Sequence, residues 1–138
     1  LAKRMRRIID YINVEGVFIG ERAATVAFEQ LDALIERDRP RVELNRGLVT
    51  RFMQRESESG TLSWVEPSGG VVIFPRIEIP MSGDELSEIL LRKHGIGLTP
   101  GSFFEEPRHF RLGFAGDTEE LKTGLAAISQ VLSEGPGD

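Results

Sequence analysis

The stretch HFRLGFAGDTEEL, residues 109–121, decides how the second half of this chain is read. Phe110, Leu112 and Phe114 alternate with Arg111 and Gly113, the period-2 signature of a strand with one apolar face. Asp117 and Glu120 then have capping-box spacing, and Leu121, Leu125, Ile128 and Leu132 follow at helical spacing. A strand therefore turns into a helix through a short corner. The strand carries Arg111 in its middle, on the face opposite its apolar residues. Such an arginine reads in two ways: as an ordinary surface residue of a half-exposed sheet, or as a rigidly mounted guanidinium whose paired N–H groups match a carboxylate. Gly113, next on that face, leaves room beside it for a ligand or another backbone.

Working outward, PSGGVVIFPR (67–76) is a turn followed by a short apolar run, which predicts a buried strand at Val71–Phe74. Ser82 and Glu85 predict a helix from Gly83, with Leu86, Ile89 and Leu90 inward and Gly95 as its left-handed cap. Ile96–Thr99 reads as a strand closed by Pro100 and Gly101. Two helices precede this β-α-β-β-α half. The first spans Phe18–Arg37, with Ala24, Ala27, Phe28, Leu31, Leu34 and Ile35 apolar. The second starts at Pro40, carries Val42, Asn45, Val49, Phe52 and Met53 on one face, and ends near Ser57–Gly60; the break falls at RDRP (37–40). The expected class is α/β (α+β): two helices over 1–60, then a domain over 61–138 with a three-stranded sheet and helices mainly on one face.

Composition narrows the function classes. At 138 residues, 40% hydrophobic and 28% charged, the chain has the make-up of one globular domain. Its net charge of −5 gives no general attraction to nucleic acid or anionic membrane. The run Lys3, Arg4, Arg6, Arg7 reads as a solvated helix face. With no cysteine, and His94 and His109 as the imidazoles, neither disulfides nor a metal site are expected. No apolar run approaches a membrane span and no signal-peptide pattern is present, so the expected compartment is cytoplasmic. The start at Leu1, already in a helical pattern, is what a fragment would show. Pro100-Gly101-Ser102 and Gly69-Gly70 each read as a bend or as backbone that a polar ligand approaches. Trp64 reads as packing, His109 as a strand-edge polar residue, and Glu105-Glu106 as a solvated loop. No phosphate loop or nucleophile elbow is present. The residues alone reach an α/β domain with a candidate carboxylate-binding arginine.

PSGGVVIFPRI (67–77), LLRKHGIGLTPGSFF (90–104), and FRLGFA (110–115) followed by DTEEL (117–121) resemble, in order and spacing, three motifs of the class I/II pyridoxal-phosphate aminotransferases, fold type I, in the C-terminal small domain. RMRRIIDYINVEG (4–16) and ALIERDRPRVELNRGLV (33–49) resemble the helices linking the large domain to the small one. The resemblance implies that Arg111 binds the substrate's α-carboxylate, with Gly70 of the Pro-x-Gly-Gly strand as a second substrate-binding residue. It implies pyridoxal phosphate in the full-length enzyme, amino-acid and keto-acid substrates, and a homodimer. It also implies that this fragment binds no cofactor and is inactive alone, because the family's Schiff-base lysine and phosphate ligands lie in the large domain. Lys3, Lys93 and Lys122 lack the Ser-Lys setting of that lysine. Glu105 stands where the family often has glycine, Gly113 where it commonly has serine, and Val71-Val72 where it often has an aromatic pair. A decarboxylase or cyclase relative, a non-catalytic aminotransferase-like regulatory module and a degenerate dimerisation domain are the other functions compatible with these motifs.

Overall fold

The computed structural model describes residues 17–135, together with Arg4, Met5 and Ile8. The basic run at 3–7 and the stretch 4–16 lie outside the described residues apart from those three, as do 136–138 of the tail. The chain divides into two units, residues 1–38 and 39–138.

In the first unit, helix α1 spans Phe18–Glu29 and buries none of its residues. Phe18 and Phe28 are 79% and 73% exposed, so this helix leaves large apolar side chains open. The break expected at RDRP is absent. The helix is interrupted earlier, at Gln30 (φ −118°, ψ 21°), and α2 then runs Leu31–Glu58 with Pro40 inside it. A proline deletes one backbone hydrogen bond, but strong helix formers (Leu34, Glu36, Arg37, Arg39, Arg41) flank it, and one missing bond does not end the helix.

The second unit follows α2 with β1 (Leu62–Ser63), β2 (Val72–Ile73), β3 (Arg76–Ile77), α3 (Gly83–His94), β4 (Thr99–Pro100), a 3₁₀ turn (Gly101–Phe104), β5 (Phe110–Gly113) and α4 (Thr118–Glu134). The class is α/β (α+β), as expected. The three-stranded sheet has the order β2-β5-β4 and is antiparallel throughout, with Ile73 opposite Leu112 and Thr99 opposite Arg111. Two details differ from expectation. Ile96–Leu98 are not in a strand, which begins only at Thr99. A separate ribbon pairs β1 with β3, Leu62 opposite Ile77; at two residues each, these strands are too short to show a period-2 pattern. The Gly101 N–H donates to the His109 carbonyl (2.7 Å), and Ser87 Oγ donates to the Leu98 carbonyl (2.8 Å) beside β4.

The caps set where the helices begin. Ser82 Oγ accepts the Glu85 N–H (3.2 Å) and Glu85 Oε2 accepts the Ser82 N–H (2.7 Å), the reciprocal box that the spacing predicts. The Ser82 N–H and, second, the Ser82 hydroxyl (2.8 Å) both donate to Glu85 Oε2 and hold its carboxyl below the usual carboxylate range. Gly95 ends α3 at φ 68°. At α4 the cap is one-sided: Asp117 Oδ1 accepts the N–H groups of Glu119 (2.8 Å) and Glu120 (3.0 Å), and no bond returns from the Glu120 side chain.

Phe110, Leu112 and Phe114 of the β5 segment lie in one core with Met53, Ile73, Leu86, Leu90, Ile128 and Val131. The face of α2 predicted by periodicity is inward at Asn45, Val49, Phe52 and Met53. Among these Asn45 is polar, wholly buried and fully bonded. Its Nδ2 donates to the carbonyls of Phe114 (2.8 Å) and Gly116 (3.0 Å), while Thr118 Oγ1 donates to its Oδ1 (2.8 Å). The buried Glu56 is likewise engaged, accepting from Thr61 Oγ1 (2.8 Å), Ser129 Oγ and Arg55.

Asn45→Ala removes the donor from the buried Phe114 carbonyl and from the partly exposed Gly116 carbonyl, and an unsatisfied buried group costs about 1–3 kcal/mol. The expected loss is roughly 2–4 kcal/mol in urea unfolding, with the slope unchanged; a loss under about 0.5 kcal/mol would show that water replaces the amide. The open apolar surface of α1 leads to a second expectation, since such patches find partners. Light scattering should give a mass that rises with concentration, and less so for Phe18→Ser/Phe28→Ser; a constant monomer mass excludes association through this helix.

Candidate functional site

β5 is the central strand of its sheet, so both of its edges are hydrogen-bonded and Arg111 is mounted on backbone that has no free side. Burial alternates along it as expected: Phe110 and Leu112 inward, Arg111 and Gly113 outward. Arg111 Nη2 donates to Thr99 Oγ1, across the pair, in a long bond of 3.4 Å. Its guanidinium carbon lies 5.6 Å from the centre of the Phe104 ring. Among the described residues no carboxylate is bonded to it. A side chain built at Gly113 would meet nothing nearer than the Val71 carbonyl, at 4.0 Å, so the face beside Arg111 is open.

Arg111, Thr99 and Gly113 line a cleft of about 630 Å³, together with Gly97, Asp117 and Leu121. The Glu120 and Glu119 backbone N–H groups hold the Asp117 carboxyl below the usual carboxylate range, so this wall carries a negative charge opposite in sign to the guanidinium. The cleft thus pairs a cation that has spare donors with a carboxylate whose Oδ1 is held by two backbone N–H groups. Chemically it can grip an anion; among the lining residues there is no nucleophile activated by a base.

The other expected site residue lies elsewhere. Gly70 does not line the cleft; it sits just before β2, at φ 80°, where only glycine is comfortable. Its carbonyl accepts from Arg46 Nη2 (2.9 Å), and nothing lies within 4 Å of where a side chain would begin. Ser102, an alternative polar contact, donates instead to Asp84 Oδ1 (2.8 Å) in the first turn of α3. Glu105 is, among the described residues, the one non-glycine at positive φ (63°). That backbone explains physically why glycine suits the position. Trp64 packs against the core, in keeping with its structural reading.

Phe104 ends the motif at 90–104 and Phe74 lies in that at 67–77, but nothing in the sequence shows that these rings meet around the arginine. Phe74 and His109 stack with ring centres 4.9 Å apart and planes 12° apart, and Phe104 meets Phe74 edge-on at 5.5 Å. His109 Nδ1 is buried without a hydrogen-bond partner; Glu106 Oε2 is 3.5 Å away. Phe104 stands in GSFF, separated from Arg111 by a loop, and nothing local ties the two together.

A family model described as "Aminotransferase class I and II" matches residues 4–128. This chain belongs to that family. Over 133 residues this aminotransferase-family chain is 37% identical to a capreomycidine synthase of Streptomyces vinaceus, covering 96% of the chain and 33% of the relative. A PLP-dependent aminotransferase from Streptococcus suis has the same fold over 96% of the chain and 35% of its own, with TM-score 0.80 and 28% identity. The PLP-dependent cyclase OrfR matches with TM-score 0.77 and 27% identity, over 93% and 35%. The chain spans about a third of the length of these relatives. No helix among the described residues is long and apolar enough to cross a membrane.

The described residues do not fit the cofactor of such enzymes. Lys93 is ion-paired with Glu134 (3.4 Å) and Lys122 with Glu119 (2.7 Å), both about half exposed on helix surfaces and outside the cleft. Borohydride reduction in the presence of pyridoxal phosphate, followed by peptide mapping, is therefore expected to leave Lys93 and Lys122 without a stoichiometric adduct. Full modification of either one would mark a cofactor site in this chain.

Proposed function

We propose that this chain serves a pyridoxal-phosphate-dependent aminotransferase as the part that grips the amino-acid substrate by its α-carboxylate, with Arg111 as the carboxylate ligand. The observation that carries the reading is the Arg111 guanidinium: outward on a central strand, without a carboxylate partner among the described residues, beside an open face at Gly113. A guanidinium fork matches a carboxylate with two parallel charge-assisted bonds. Holding the substrate at two points removes rotational freedom before any bond at its Cα is changed. Gly70 belongs to the proposal as exposed backbone that a ligand can approach closely. In this reading residues 1–60 are linking helices and 61–138 the small domain of a cytoplasmic homodimer, while the cofactor lysine comes from another part of the whole protein.

A second reading shares the carboxylate grip and differs in the fate of the bound amino acid. The 37% identity to a capreomycidine synthase across nearly the whole chain, with the fold of OrfR beside it, favours an enzyme that cyclises its amino-acid substrate. The products separate the two: transamination yields a keto acid from the amino donor, whereas cyclisation yields a ring and no keto acid.

In the whole enzyme, Arg111→Lys keeps the charge and loses the fork. The expected fall in kcat/KM is ten- to a hundredfold, about 1.5–3 kcal/mol for one charge-assisted bond. Arg111→Ala should cost more while leaving Tm nearly unchanged, because the side chain is not part of the core. Activity that survives Arg111→Ala, or a domain that unfolds with it, removes the assignment.

A further inference from the structure

From the geometry around Arg111 we infer that Phe104 is a positioning residue, an aromatic platform that holds the guanidinium fork in place for a carboxylate. This rests on the reading of Arg111 given above. A strand fixes the Cα of an arginine, but the guanidinium hangs from a long side chain with many rotamers. Something must orient the fork. The Thr99 hydroxyl, at 3.4 Å, offers one long bond. The Phe104 ring, 5.6 Å from the guanidinium carbon, offers a face, and a cation over an aromatic face is attracted by its quadrupole while its N–H edge stays free for a ligand.

The platform is itself built. Phe104 ends a 3₁₀ turn whose backbone is pinned on both sides: the Glu106 N–H donates to Gly101 O (3.0 Å), the Glu105 N–H to Ser102 O (3.2 Å), and the His109 N–H to Glu106 O (2.9 Å). A side chain at Gly101 would collide with the carbonyls of Glu106 and His109, so the turn sits against the start of β5 with no slack. Phe74 braces Phe104 edge-on, and the His109 ring stacks on Phe74 in turn. Phe104 is 46% exposed, so the ring is partly packed and partly open. A half-exposed aromatic on a pinned turn, beneath the one strand-mounted arginine of the cleft, is placed to act through that arginine.

The test uses the 138-residue chain, its Phe104→Leu and Phe104→Tyr variants, and NMR of the Arg111 side-chain Nε–Hε group, with sodium acetate as the carboxylate probe. In the parent chain this resonance should show a ring-current shift and restricted motion. Both should vanish in Phe104→Leu and return in Phe104→Tyr, with the melting temperatures of all three alike. Acetate should shift the resonance in the parent chain, and Phe104→Leu should weaken that binding about two- to tenfold, the range expected for a lost cation–π contact and a newly mobile side chain. An Arg111 group as ordered in Phe104→Leu as in the parent overturns the inference, as does a Phe104→Tyr variant that behaves like Phe104→Leu. If acetate leaves Arg111 untouched while the ring-current shift is present, the carboxylate reading falls and the platform stands only as a packing feature, which also ends its role as a positioning residue.

Discussion

Everything around Arg111 depends on how a single amide is satisfied. Asn45 projects from α2 into the core and bonds the backbone at Phe114 and Gly116, while Thr118 bonds it in return. Those three residues are the corner through which β5 becomes α4. A buried amide is tolerated only where its donors and acceptor all find partners, and here all the partners lie at that corner. The helix therefore cannot slide along the sheet without stranding polar groups. Arg111 lies three residues upstream of Phe114, so its position inherits that register.

The range of each interaction decides how much of this is legible in the sequence. Caps are local: Ser82 with Glu85 and Gly95 at its left-handed turn can be read from adjacent residues, and so can the alternation that turns Arg111 outward. The start of the first helix is also plain, but its end is not. Pro40 reads as a helix start because proline fits the first turn, yet a strongly helical flank carries the helix through it. The ribbon of β1 and β3 is hidden because two-residue strands have no periodicity to see. Phe104 shows only as the end of a motif for the same reason that Asn45 shows only as part of a helix face. Their roles are set by partners distant in sequence, and a single sequence does not reveal which residues meet.

Family membership and site geometry bear on different levels of the function. The match over residues 4–128 fixes the family, whose relatives by name include both an aminotransferase and a cyclase. A guanidinium that holds a carboxylate is indifferent to what later happens at the neighbouring carbon. It removes motion that every such reaction must lose, which is why one scaffold serves several of them. The identity of the reaction then rests on groups other than the carboxylate grip.

The edge of the sheet at β4 also limits how anything can reach this site. Gly101 and Thr99 turn their backbones toward β5, so Pro100 between them turns its nitrogen to the free side, where it has no hydrogen to offer. One residue before Thr99, the Leu98 carbonyl is already taken by Ser87. A further strand therefore finds no ladder to join along this border. Growth of the sheet past β4 is disfavoured, and the side of Arg111 that stays open is the outward face beside Gly113. For the carboxylate grip proposed above, the way in is that face and not the border of the sheet.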